Sequence, residues 1–461
     1  MTLERKTIEA LGEWLPVVNV EPPGPRSRAL AGRLARAEAP AASTLANGDV
    51  PVFWEAARGA NVADADGNVY VDLTSAFGVA SVGHGNPAVL AAAEEQAARL
   101  LHGMGDFQPP TARLLLAEAL AEVTPDGLSQ VIFGSTGSEA VELALKAAAV
   151  YTGKPGVVAF RGAFHGQSYG ALAVTSRRSF RAPFQAQLNP HVVHVPYPYP
   201  YRCPFGPGCD DCGAAAVDHL EGLLSDPSSG LPPVGAVIVE PCQGREGEIV
   251  PPPSFLLRLR ELCDRHGLLL IADEVYTGLG RTGRWFAVEH AGVVPDLLCV
   301  GKALGGGYPI SAVVGRPEVM AAWRPVTPEA PHSSTFMGHP VGCAAGLAVL
   351  AELRGGLLER AARMGAWFGE RLGRLASHRL VGEVRGLGMM WGVELVRDRR
   401  TKEPADRELA GVVAACLREG VILLPGGRHG NVLSLSPPFV ITEEQAEHAL
   451  GVLDRALAAF D

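Results

Sequence analysis

Between roughly residue 130 and residue 310, short apolar runs alternate with longer stretches whose apolar residues recur every three or four positions. The runs "QVIFG", "GVVAF", "VGAVIVE", "LLLIAD" and "DLLCV" are apolar on both faces and rich in Val and Ile, as strands covered on both sides are. "SEAVELALKAAAVY" and "SFLLRLRELCDRHG" carry the helical period instead. Buried strands alternating with helices predict an α/β domain around a mostly parallel sheet. Upstream, "VFWEAARGANVADADGNVYVDL" reads as a small antiparallel meander with a tight turn at Asp66-Gly67. The first forty residues contain one short basic amphipathic helix, either solvated or packed across a subunit interface. After about residue 345 the order becomes helix, strand ("GLGMMWGVELV"), helix, short strands and a final helix, which predicts a smaller α+β domain. The expected division is 1–75 for the arm and meander, 76–344 for the large α/β domain, and 345–461 for the C-terminal small domain.

Composition narrows the partners. With 47% hydrophobic and 19% charged residues the 461-residue chain is an ordinary globular one, and its net charge of −9 argues against nucleic acid or an anionic membrane. The start, "MTLERKTIEALGEWLPV", mixes acids and bases around no apolar signal core, and eight cysteines suggest reduced thiols, so the expectation is a cytoplasmic protein. Cys203, Cys209 and Cys212 in "YRCPFGPGCDDCG" have the spacing of metal ligands, but no fourth ligand stands nearby. A metal-free Pro/Gly-rich loop is the preferred reading.

The stretch "GLGRTG" (Gly278–Gly283) after "LLLIADEV" is a literal G-x-G-x-x-G. A dinucleotide site needs a helix opening at the third glycine. "RWFAVEHAGVVP" does not supply one. Other residues at the carboxyl ends of the strands carry more chemistry. Thr136, Gly137 and Ser138 open a helix and offer amides and hydroxyls to a phosphate, although an ordinary Ser N-cap with Glu139 in the first turn reads the same way. Phe164 and His165 sit between glycines, where an aromatic ring suits either a planar ligand or the core. Asp273 ends a buried strand, where a carboxylate needs a partner such as a pyridinium N–H or backbone amides. Lys302 in "CVGKALGGG" is one of only five lysines in an arginine-rich chain, and a desolvated lysine suits Schiff-base chemistry. Phosphate cup, aromatic ring, Asp and Lys in this order fit pyridoxal 5′-phosphate.

From "DADGNVYVDL" through "STGSEAVELALK", "FHGQS", "VIVEPCQG", "LIADEVYTGLGRTG", "GKALGGGYP" and "SSTFMGHP" to "GNVLSLSPPFVIT", the chain resembles the class III (ω-amino acid type, 4-aminobutyrate/ornithine aminotransferase-like) pyridoxal-phosphate enzymes of fold type I. The resemblance implies a large domain with a seven-stranded, mostly parallel sheet and a smaller α+β domain built from both chain ends. It implies that Lys302 forms the Schiff base and shuttles the proton, that Asp273 pairs with the ring nitrogen, and that Phe164 and Val275 cover the ring faces. Thr136, Gly137 and Ser138 would bind the phosphate, joined by Thr335 from the neighbouring subunit of a homodimer. His165 and Tyr276 would stand beside the cofactor, and Glu240 would line the substrate side.

Three positions depart from the family pattern. Tyr276 stands where Gln is frequent, Gln167 where many members have an arginine for a substrate carboxylate, and Ser434 where many have a second one. Arg245 and Arg428 are possible replacements, or simply surface arginines. With Phe77 and Met104 as apolar wall, these residues predict donors with neutral or cationic tails. The expected activity is ping-pong transfer of an amino group from an amine or amino acid to an oxo acid or aldehyde. A racemase or epimerase of the same family, or a non-catalytic pyridoxal-phosphate-binding protein, would keep Lys302 as well.

Overall fold

The computed structural model describes residues 5–42, 50–324 and 329–461. Contacts divide the chain into two compact units, one of 1–86, 370–384 and 393–461, the other of 87–369 and 385–392.

In the first unit the strands Trp54–Arg58, Asn61–Asp64 and Val69–Asp72 form the expected meander, and Val421–Ile422 adds to it in parallel. The turn forms because the Asp64 carboxylate accepts from the amides of Asp66 and Asn68, both at 2.9 Å, while Gly67 takes φ +89. Asp66 in turn accepts from the amides of Arg26 and Ser27, capping the helix Pro25–Ala37. A second sheet combines Val381–Leu387, Met390–Asp398, Val432–Leu435 and Leu424–Gly426, with Glu403–Pro404 paired onto Met390–Asp398.

The second unit is built on a seven-stranded sheet. Its spatial order is Gln130–Gly134, Ser311–Gly315, Leu297–Val300, Leu269–Asp273, Val234–Val239, Gly156–Phe160 and Val192–Val195. Ser311–Gly315 runs antiparallel to both neighbours and the remaining pairs are parallel. Ile238, Ile271, Leu297, Cys299 and Val313 are fully buried, each large aliphatic contributing about 1.5–3 kcal/mol. The helix Gly137–Thr152 meets them with Ala140, Ala144, Ala147 and Ala148, small side chains that let its backbone approach the sheet closely. It ends at Gly153, left-handed at φ +65. The apolar helix Pro340–Glu352, taken with its continuation to Ser377, is long and apolar enough to match a membrane span by composition. Its Val341, Cys343, Ala345, Val349 and Leu350 are buried, and it packs on helices Pro87–Arg99 and Thr111–Val123.

Candidate active site

The residues singled out in the second unit converge at the carboxyl ends of its strands. Gly137, Val275 and Gly301 pack so tightly that a Cβ on Gly137 would stand 2.8 Å from Val275 Cγ1, and one on Gly301 would stand 3.3 Å from it. Ser311 Oγ donates to the Thr136 carbonyl at 2.6 Å. The helix start, the Val275 side chain and the residue before Lys302 are thus locked together. Thr136 caps the helix by accepting from the Glu139 amide at 3.2 Å, and Glu139 reaches back to the Ser135 amide at 2.8 Å. Ser138 Oγ accepts from the Gln167 amide at 3.0 Å, an approach that requires Gly166, since a Cβ there would lie 2.0 Å from that oxygen.

Asp273 is buried at the end of its strand. One carboxylate oxygen accepts from the Val275 amide at 3.0 Å and the other lies 2.7 Å from His165 Nδ1. Burial opposes charge on His165, but the bond to Asp273, its negative charge and that of Glu240 raise the imidazole above its ordinary value. Its Nε2 is buried and has no hydrogen-bond partner among the described residues. Glu240 accepts from the Phe164 amide at 2.9 Å and the Gly244 amide at 3.3 Å, and burial pushes its carboxyl up to about 7. The neighbouring Glu274 serves the fold, binding the amides of Ala287 and Val288 and the Thr277 hydroxyl.

Lys302 comes after its strand at φ +40, a backbone conformation uncommon for a side-chain-bearing residue. Its amine lies 4.2 Å from the centre of the Tyr276 ring. Burial pushes this amine below its ordinary value, against the pull of Asp273, Glu240 and Glu248 and with the push of Arg281. A lowered value keeps more of the amine neutral, the form a nucleophile and proton acceptor needs.

"GLGRTG" is a turn. Gly280 and Gly283 take φ +91 and +85, no helix opens at Gly283, and the fully buried Arg281 exchanges bonds with Met389. Gln167 and Met104 are exposed in the same unit, and Thr335 lies on an exposed turn. Phe77, Arg428 and Ser434 belong to the first unit. Phe77 is exposed at φ +62, Arg428 is exposed, and Ser434 is buried in the pair formed by Leu424–Gly426 and Val432–Leu435. Arg245 stacks over two rings, Phe164 at 5.4 Å and Phe180 at 5.5 Å.

A model of the family described as Aminotransferase class-III matches residues 44–457. The chain belongs to the class III aminotransferases. It is 41% identical to an acetylornithine aminotransferase of Methanopyrus kandleri over 89% of this chain and 95% of that one. It is 40% identical to a leucine/methionine racemase of Thermococcus litoralis over 88% and 91%. A crystal structure of an amine transaminase from an uncultivated Pseudomonas species, bound to pyridoxal phosphate, matches with TM-score 0.84 and 33% identity over 92% of this chain and 98% of that one. As a class III aminotransferase of fold type I, the protein is an enzyme whose cofactor is pyridoxal 5′-phosphate. The local chemistry suits that group: a lysine amine of lowered basicity, a buried carboxylate braced by histidine, and a helix N-terminus with hydroxyls, held around glycines that leave no side chain in the way.

Sequence reasoning passed over Glu248 and Ser311, and it met Glu139 only as the acid in the first turn of a capped helix. Glu139 stands three residues after the cap, a readable signal. Glu248 in "GREGE" gave none beyond an acid in a glycine-rich loop.

Proposed function

We propose that this aminotransferase takes its nitrogen from amino acids, amines or diamines whose tails are neutral or cationic, and that it uses simple ω-amino acids weakly. Arg245 carries this reading. Of the two arginines that could replace the missing carboxylate anchors, Arg245 has its guanidinium seated on the rings of Phe164 and Phe180, and its backbone carbonyl accepts from Arg177 at 3.2 Å. Gln167 offers no charge-assisted bond in its place.

When bound, pyridoxal 5′-phosphate supplies the electron sink that makes a substrate carbon acid enough to lose a proton. The chain's residues do the rest. Thr136, Gly137 and Ser138 would hold the phosphate at a positive helix end, helped by Thr335 from a second copy. Asp273, braced by His165 at 2.7 Å, would present negative charge to the ring nitrogen. Val275 and Phe164 would cover the ring faces. Lys302 Nζ would anchor the cofactor and would be the group that takes up the substrate proton and gives it back. The working unit is a homodimer in the cytoplasm, where its cysteines stay reduced. The self-association is supported by exposed Leu101, Met104, Phe107, Leu114 and Phe336, with the Phe336 ring 5.4 Å from that of His102.

The relative named as a leucine/methionine racemase supports a second reading, in which Lys302 returns the proton from the other face of the same carbon without net transfer of nitrogen.

Steady-state comparison of putrescine with 4-aminobutyrate should favour putrescine by at least about tenfold in kcat/KM. Gln167→Arg should recover 4-aminobutyrate by about tenfold or more, the worth of one hydrogen bond to a charged group. A wild-type preference for 4-aminobutyrate that the arginine leaves unchanged overturns the account of the pocket. Incubation with single enantiomers of leucine or methionine, without an oxo acid, should leave their handedness intact; racemisation would establish the second reading.

Lys302→Ala should still bind the cofactor, yet lose its covalent attachment and essentially all turnover, because no neighbour combines nucleophile and proton carrier. Wild-type visible absorption and turnover in that variant would move the anchor to another lysine.

Thr335→Ala should loosen cofactor binding by about 1–3 kcal/mol. Full activity in a preparation shown by sedimentation to be monomeric would refute the shared site.

A further inference from the structure

Residues 244–248 form a pinched loop whose closing residues, Gln243 and Ile249, exchange both backbone bonds, at 3.0 and 2.9 Å. Within it Glu248 is buried and held at φ +56. A side-chain-bearing residue enters that region at a cost of about 1 kcal/mol or more, so the loop holds a strained acid where glycine would be easier. The Glu248 carboxylate accepts from the Tyr276 hydroxyl at 3.1 Å. The Tyr276 ring lies so close to the loop that a Cβ on Gly244 would stand 2.5 Å from it. The ring's face carries the Lys302 amine at 4.2 Å. Lysine, ring and carboxylate therefore stand in a row, each touching the next.

We infer that Tyr276 and Glu248 are a positioning couple for Lys302: the electron-rich ring face seats the lysine nitrogen in its charged form, and the strained carboxylate fixes the ring and adds negative charge behind it. The groups acting on that nitrogen are Asp273, Glu240 and Glu248, which favour its charge, and Arg281, which opposes it. Among these, Glu248 is the one coupled to the ring that touches the amine. The couple counteracts desolvation, so Lys302 stays basic enough to take the substrate proton and yet weak enough to give it back.

The inference rests on Lys302 being the anchor, which Lys302→Ala tests separately by loss of covalent attachment. The couple itself is read from the holoenzyme without substrate, by titrating its visible absorption band, which reports protonation of the lysine nitrogen. Removing a nearby negative charge makes a cation harder to form, so Glu248→Gln should lower the midpoint by about one pH unit, roughly a tenfold loss in proton affinity. Tyr276→Leu, which removes the ring and leaves the acid, should lower it by roughly half a unit, the scale of a cation–π contact. Thermal midpoints recorded alongside separate tuning from folding. A titration midpoint within about 0.2 unit of wild type in either folded variant, whatever its stability, would reduce the couple to packing and overturn the inference.

Discussion

A carboxylate at the buried end of a central strand is the constraint around which the large unit is arranged. Asp273 has left water, and an unpaired charge there would cost several kcal/mol. Its two oxygens are met by the Val275 amide and His165 Nδ1, and His165 is itself placed by the hydrogen bond its backbone amide donates to Thr175 Oγ1 at 2.9 Å. The loop bearing Phe164, His165 and Gln167 is thereby fixed against the sheet. Because Glu240 holds the Phe164 amide and Ser138 the Gln167 amide, the same loop ties the strand Val234–Val239 to the helix that begins at Gly137.

Close backbone approach is the second ingredient. Gly137, Gly166, Gly244 and Gly301 each leave room for a neighbouring side chain, and an added methyl at any of them would meet Val275, Ser138 or Tyr276. Loops from four different strands come near enough to act on one small molecule because they lack side chains at these contacts. The catalytic groups then need little motion to meet it, which is how orientation contributes to rate.

The alternation of apolar strands and helical periods, the rare lysine and the strand-end aspartate were legible because each is a local pattern. The sheet forms from those runs, and Lys302, Asp273, Thr136 and Val275 stand at or just after the carboxyl ends of its strands. What was not legible depends on backbone conformation and distant approach. Nothing adjacent to Glu248 announces a left-handed backbone or a bond to a tyrosine 28 residues away. Glu274 stands next to Asp273 with no local sign that sets the two acids apart, and only the amides of Ala287 and Val288 reveal its structural role. Ser434 entered through the family pattern, Arg428 as a candidate replacement for a missing anchor and Phe77 as apolar wall, and all three lie in the other compact unit.

The scarcity of lysine has a consequence for how such a protein meets its cofactor. An aldehyde condenses with any uncharged primary amine it encounters, whereas a guanidinium stays protonated and unreactive. Thirty-five of the forty basic side chains are arginines, so four lysines remain to compete with Lys302. Of these, Lys146 already has its amine 3.1 Å from His332 Nδ1. The chain keeps the cationic surface that solubility needs while presenting few decoys, and loading is steered toward one position by the chemistry of the rest of the surface as well as by the shape of the pocket.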